Sequence, residues 1–275
     1  MLIALTYHCS MGCTHCLSDC KPDGNHMPLT ILKDALEFCD RNKIQSVNFS
    51  GGEMFEHPDI MAILDKVEVW ILNRQKQNIL TAPVAFITNG KVLAGNIEYL
   101  DRVQDMIAKV GKQHLLIQVT NDSRFYPTAL SEKEKYRLRK VGAIIDTVPN
   151  NPDDPKKCLY PQGRALQNFA DTAVWNTIGP KCGNLRLLTK QLPGISFEAL
   201  TDLMTMSLGK FCTPVIAPNG DIKLGESALC PAVASIYYPN LVIMERIRHF
   251  SCKKCEIAFE KLKESKHMAY EMLSK

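Results

Sequence analysis

From residue 2 to residue 148 short apolar runs alternate with longer stretches of helical periodicity. That alternation restricts the chain to an α/β arrangement built on parallel strands. Strands are expected over 2–7, 46–49, 84–87, 115–119 and 143–148. Helices are expected over Leu29–Arg41, 58–74, Ile97–Val110 and 131–140. In the first helix Leu32, Ala35, Leu36 and Cys39 share one face, so Cys39 reads as a small buried hydrophobe. Beyond the polar 149–157 loop the pattern weakens, and 185–189 is a candidate sixth strand. Each polar motif follows a strand at its C-terminal end, where parallel α/β folds carry sites on loops anchored to a rigid scaffold.

Eleven cysteines in 275 residues is a high count. The first residues, Met1-Leu2-Ile3-Ala4-Leu5-Thr6-Tyr7, have no basic segment ahead of the apolar run, unlike a secretion signal. No apolar stretch reaches the length of a membrane span. Cysteines used without secretion point to metal or redox work in a reducing compartment, and a cytoplasmic protein is expected. The net charge is +4 without a long Lys/Arg block. That is not the clustered basic footprint of a nucleic-acid-binding module, although it leaves nucleotide or RNA substrates open. No internal repeat or low-complexity segment is present.

Cys9, Cys13 and Cys16 form a Cys-x3-Cys-x2-Cys triplet on one tight loop. Three thiolates can hold three irons of a [4Fe-4S] cluster, which normally takes four cysteines, and leave the fourth iron open. Structural zinc instead takes four ligands, with Cys20 the available fourth. Gly51 and Gly52, after the second strand, suit a loop whose backbone approaches a ligand closely, and Ser50 and Glu53 flank them. Thr88, Asn89, Gln118, Thr120 and Asn121 cap strands three and four. They are able to bond ribose hydroxyls or substrate, while Asn89-Gly90 and Asn121-Asp122 also read as ordinary turn chemistry.

Cys9-Ser10-Met11-Gly12-Cys13-Thr14-His15-Cys16 resembles the cluster motif of radical S-adenosylmethionine (SAM) enzymes, and the downstream Gly51-Gly52-Glu53 strengthens that resemblance. It implies that the open iron chelates the amino and carboxylate groups of SAM. The reduced cluster would then cleave SAM to a 5′-deoxyadenosyl radical, which abstracts hydrogen from substrate. It also implies an open, partial (β/α)6 TIM-like barrel over 1–200, and a one-electron donor such as flavodoxin or ferredoxin. His15 stands where the family usually has an aromatic residue near the adenine, a departure from Tyr or Phe. Glu53 would face the SAM ammonium through a charge-assisted bond. Tyr160-Pro161-Gln162-Gly163-Arg164-Ala165 resembles a Gly-Arg-Ala stretch of related enzymes, with Arg164 placed to meet the SAM carboxylate.

Cys212, Cys230, Cys252 and Cys255 gather four thiols in the C-terminal segment, with a hairpin signal at Asn219-Gly220 between two of them. Their order resembles the auxiliary-cluster domains called SPASM and twitch. The small number of cysteines fits the single-cluster twitch form, here 201–275, with a second [4Fe-4S] cluster. Zinc is the rival occupant of four cysteines that include a Cys-x2-Cys. Cys158 and Cys182 are core, incidental or near the site, with Cys182 also a candidate replacement for one auxiliary ligand, and Cys20 reads as incidental.

The leading expectation is therefore a SAM-cleaving enzyme acting on a peptide or small molecule. The chain begins directly at its first strand, so a leader-recognition domain, if used, is expected on a separate protein. A radical rearrangement or modification of an amino acid attached to a nucleoside or DNA base is the second reading. A non-enzymatic zinc or Fe–S interaction module is the third. The incomplete three-cysteine set argues against that third reading, because a structural site would complete its ligands.

Overall fold

The computed structural model describes residues 1–79, 82–147, 163–168, 188–206, 213–254 and 257. Eight strands form one mixed sheet: β1 (Leu2–Thr6), β2 (Asn48–Gly51), β3 (Val84–Thr88), β4 (Leu115–Asn121), β5 (Ile144–Thr147), β6 (Val215–Ile216), β7 (Asp221–Lys223) and β8 (Ala232–Ser235). Their order is β5-β4-β3-β2-β1-β6-β7-β8. Neighbours from β5 through β6 run parallel, and β7 and β8 return antiparallel.

β1 lies between β2 and β6, and all five of its residues are buried. A strand covered on both faces should be apolar throughout, and Leu2-Ile3-Ala4-Leu5 is. Between the strands run α1 (Leu29–Arg41), α2 (Ile60–Lys76), α3 (Lys91–Gly95), α4 (Ile97–Val110) and α5 (Glu132–Lys140). Cys39 is fully buried on the apolar face of α1, as its spacing predicts. The Asn96 side chain caps α4 by accepting from the Glu98 and Tyr99 N–H groups. Ser131 and Glu134 form a reciprocal capping box at the start of α5. Arg74 is buried on α2. It donates to the Ile44 carbonyl at 2.6 Å and lies over the Trp70 ring.

Two expectations shift. β2 begins at Asn48 and runs on to Gly51, because Leu2 pairs with Asn48 and Thr6 with Gly51 across a bulge in β1. The candidate sixth strand fails in its described part: residues 188–191 are helical. The place beside β1 is taken by Val215–Ile216, which pairs with Leu2 and Ile3. Apolar residues of β6 to β8 and of the helix Asn240–His249 (Ile216, Ile222, Val233, Ile243) join the same core as β1 to β5. The Asn219-Gly220 signal is realised as the β6–β7 turn, with Gly220 at φ +84°. Among the described residues no helix is long and apolar enough to cross a membrane.

Candidate active site

Because β1 to β4 are parallel neighbours, their C-terminal ends lie along one edge of the sheet. That edge brings together the cysteine loop, the Gly51-Gly52-Glu53 loop, Thr88-Asn89 and Thr120-Asn121.

The first two are joined by backbone contact. The Gly52 N–H donates to the Thr6 carbonyl at 2.7 Å, and the Glu53 N–H to the His8 carbonyl at 2.9 Å. A Cβ on Gly51 would sit 2.1 Å from the Thr6 oxygen, and one on Gly52 would sit 2.0 Å from the His8 oxygen. Both glycines are thus required by the close approach of β1 and of the residue leading into Cys9. Gly51 also holds φ +129°, which other residues seldom adopt.

Glu53 is completely buried. Its Oε1 accepts from Thr88 Oγ1 at 2.7 Å and from the Phe55 N–H at 3.1 Å, and its Oε2 accepts from the Asn89 N–H at 2.8 Å. Burial pushes its carboxyl up to about 7, against the pull of those three donors. The carboxylate expected to face a ligand ammonium is here the tie between the β2 and β3 loops.

The cysteines occupy a half-buried nest. Cys9, Met11 and Cys20 pack together with Tyr7, Cys13, Cys16 and Tyr126 beside them. Burial raises the Cys9 thiol to about 11, with Glu53, Glu56 and Cys16 adding to the rise. Burial and the neighbouring Cys9 and Cys16 raise Cys13 to about 12. Cys16 goes the other way, lowered chiefly by its hydrogen bond with the Cys20 side chain and further by Arg164. The Cys20 N–H also donates to Cys16 Sγ at 3.4 Å. Cys20, read as incidental from the sequence, thus serves as the partner of Cys16.

The rest of the loop is gripped from three sides. The segment after β4 holds it first: the Thr14 N–H donates to the Phe125 carbonyl at 3.1 Å, and the Thr128 hydroxyl reaches Met11 Sδ at 3.6 Å. The His15 ring stacks on Phe125 at 4.8 Å between centroids, with Tyr126 at 5.8 Å. Burial lowers the basicity of His15, and its Nδ1 is buried without a partner. Glu56 holds the loop's start, accepting from the Ser10 N–H at 2.8 Å and lying 3.2 Å from His8 Nε2. Third comes α6 (Gly163–Asn168), with Asn168 Nδ2 donating to the Thr14 carbonyl at 2.8 Å.

Arg164 belongs to that third grip. Its N–H donates to the Cys16 carbonyl at 2.9 Å and its Nη2 to the Cys20 carbonyl at 3.0 Å.

The remaining expected residues divide. The Ser50 hydroxyl reaches the Ile87 carbonyl at 3.4 Å. The Asn89 side chain accepts from the Lys91 N–H at 2.9 Å, which is turn chemistry, while Asn121 accepts from the Leu130 N–H at 3.4 Å at the far end of the following loop. Gln118 Nε2 donates to Asp146 at 2.8 Å. Thr120 Oγ1 bonds the Tyr126 hydroxyl at 2.7 Å. Phe125, Tyr126 and Glu56 are site-forming residues that sequence reading passed over. The aromatic pair directly after the Thr120-Asn121-Asp122 cap was the available signal.

Of the C-terminal cysteines, Cys230 and Cys252 are described and half-buried. Cys212 and Cys255, with Cys158 and Cys182, lie outside the described residues. The segment before Cys230 docks on the cysteine loop. The Ala228 N–H donates to the Leu17 carbonyl at 3.1 Å, and the Ser18 hydroxyl to the Glu226 carbonyl at 2.9 Å. Among the described residues no group of three or more His, Cys, Asp or Glu is arranged as a single-ion metal site.

No family model matches the chain. The fold is shared with SuiB of Streptococcus suis, in a structure bound to the precursor peptide SuiA. The TM-score is 0.53 at 13% identity, over 100% of this chain and 72% of SuiB. It is shared equally with anSMEcpe, in a structure with bound AdoMet and the Cp18Cys peptide. There the TM-score is 0.53 at 14% identity, over 96% of this chain and 85% of that one. The mycofactocin maturase MftC of Mycobacterium tuberculosis is 36% identical over 62 residues, which is 22% of this chain and 16% of MftC.

Proposed function

We propose that this chain is a radical SAM enzyme whose cysteine loop, at the end of β1, holds a [4Fe-4S] cluster through Cys9, Cys13 and Cys16. The observation that carries the reading is the pairing of that loop with Gly51-Gly52-Glu53 by backbone bonds at the C-terminal edge of the parallel strands. The donor set fits the group. Two thiols held protonated by burial and mutual repulsion become thiolates when a cation binds, and metal binding supplies that charge. When bound there, such a cluster would supply the electron for reductive cleavage of SAM, with Cys9, Cys13 and Cys16 holding it.

The chain's own residues do the positioning. Glu56 and Phe125 pin the two ends of the loop, and Met11 and Tyr126 shield it from water. His15, with its ring on Phe125 and one buried ring nitrogen unpartnered, offers a flat face and an acceptor or donor for a nucleoside base. Ser50, Thr88, Asn89, Gln118, Asn121 and Arg164 surround the same strand ends. β1 to β5, within residues 1–200, and β6 (Val215–Ile216) as the sixth parallel strand belong to a partial (β/α)6 barrel, and the rest of 201–275 is an auxiliary twitch-like segment. Its second [4Fe-4S] cluster is held by Cys212, Cys230, Cys252 and Cys255, with zinc as the alternative occupant. The electron donor is a flavodoxin or ferredoxin, and the compartment the cytoplasm.

A peptide is the favoured substrate, because both fold neighbours are known with a peptide bound. The test is anaerobic reconstitution followed by SAM and a reductant. The expected product is 5′-deoxyadenosine, abolished in a Cys9/Cys13/Cys16→Ala variant. S-adenosylhomocysteine instead would mean methyl transfer, and no iron uptake by the wild type would overturn the reading.

A further inference from the structure

The start of α6 touches the cysteine loop through backbone. Gly163 holds φ +57°, and a Cβ there would lie 2.2 Å from the Cys16 carbonyl oxygen and 2.4 Å from that of Leu17. The next residue is thereby delivered against Cys16. Arg164 is fixed at three points: its N–H on the Cys16 carbonyl, its Nη2 on the Cys20 carbonyl at 3.0 Å, and its Nε 3.6 Å from Asp19 Oδ1. So held, the guanidinium is a fixed cation beside the triplet: its charge bears on Cys16 and Cys13, and its Nε is buried without a hydrogen-bond partner. The opposite end of the triplet has the opposite field. The side-chain charges bearing on Cys9 are all negative, the carboxylates of Glu53 and Glu56 and the Cys16 sulfur.

We propose that Arg164 is a positioning residue for the cluster, holding a cation at the Cys16 end of the triplet and raising the cluster's reduction potential. The proposal rests on the radical SAM reading above. An electron added to a cluster makes its sulfurs more negative. A fixed cation and N–H donors at those sulfurs stabilise the reduced form more than the oxidised one. Cys16 collects both, from Arg164 and from the Cys20 N–H. In this proposal the arginine acts on the cluster, where the sequence resemblance suggests the SAM carboxylate as its partner. Its planar fork also suits this arrangement better than a lysine, since one end holds the Cys20 carbonyl while the other faces Asp19.

The test compares wild type, Arg164→Gln and Arg164→Lys after anaerobic reconstitution, by iron content and by a potentiometric titration read by electron paramagnetic resonance. The signal followed is the one that changes on adding SAM. The expected result is wild-type iron content in R164Q with a more negative midpoint potential, and an intermediate midpoint in R164K. An R164Q protein with full iron and an unchanged midpoint overturns the proposal. If R164Q takes up no iron at the triplet, R164K decides. A loaded R164K with a lowered midpoint supports the proposal, and an unchanged midpoint or a second failure to load overturns it. Failure of the wild type itself to bind iron overturns the enzyme reading instead, so the two failures are separable.

Discussion

Replacing Gly52 by alanine tests whether the join between β1 and the β2 loop is the keystone of the site. The new Cβ would sit 2.0 Å from the His8 carbonyl oxygen and 2.7 Å from its carbon, where contacts under 3.0 Å essentially do not occur. The two backbones must part by about 1 Å or more, and no rotamer relieves the clash because both sides are main chain. That displacement breaks the Gly52-to-Thr6 and Glu53-to-His8 hydrogen bonds, now 2.7 and 2.9 Å. Each buried bond lost with its partner left unsatisfied costs roughly 1–3 kcal/mol, for a total of about 2–6 kcal/mol. Native stabilities are only about 5–15 kcal/mol, so the loss is a large fraction. Gly95→Ala is the matched control. Nothing lies within 4 Å of its Cβ position at the end of α3. Alanine there is expected to be neutral or to stabilise by about 0.5–1 kcal/mol. Urea unfolding of cluster-free protein, followed by circular dichroism, reads both. A G52A midpoint equal to that of wild type would refute the reasoning.

Glu53 makes stability depend on pH. Its carboxyl titrates near 7 when folded against 4.5 unfolded, so the folded chain keeps a proton that the unfolded chain has released. That contribution is fully present below about 4.5 and is lost as pH rises through about 7, a change on the order of 3 kcal/mol. Unfolding measured from pH 4.5 to 7.5 should therefore show a steeper fall for wild type than for Glu53→Gln; parallel curves would sink the assignment. Asn96→Ala removes the side chain that caps α4 and should cost about 1 kcal/mol, read as a lower urea midpoint. Tyr126→Phe removes the 2.7 Å bond to Thr120 while keeping the ring beside His15. A loss of about 1 kcal/mol with unchanged iron uptake is expected, and failure to take up iron would show that the hydroxyl itself supports the loop.

The helices were legible in detail where periodicity is strong. Leu29–Arg41 and Ile97–Val110 form over the bounds expected of them, because an apolar stripe is local, and in the second the Asn96 cap is local too. Strand ends were less legible. β2 is displaced toward Gly51 because its limits are set by pairing with Leu2 and Thr6, some 45 residues away in the chain. The strand expected over 185–189 failed in its described part for the same reason: what fills the place beside β1 is decided by partner geometry, and Val215–Ile216 fills it.

At the site, residue chemistry was readable and residue partnership was not. The triplet spacing, the two glycines and the polar caps at strand ends stand in the chain as written, since each follows its own strand directly. Their grouping on one edge follows from parallel pairing alone. Tertiary structure decided what each side chain faces: Glu53 toward Thr88 and Asn89, His15 toward Phe125, Arg164 toward Cys16 and Cys20. Gly52 shows the division most plainly. The sequence offered glycines suited to a close approach to a ligand, and only the fold revealed that the surface Gly52 approaches is the backbone of His8. Spacing along a chain is a local property, whereas the direction of a carboxylate or a guanidinium is set by whichever distant donors and acceptors packing brings within 3 Å.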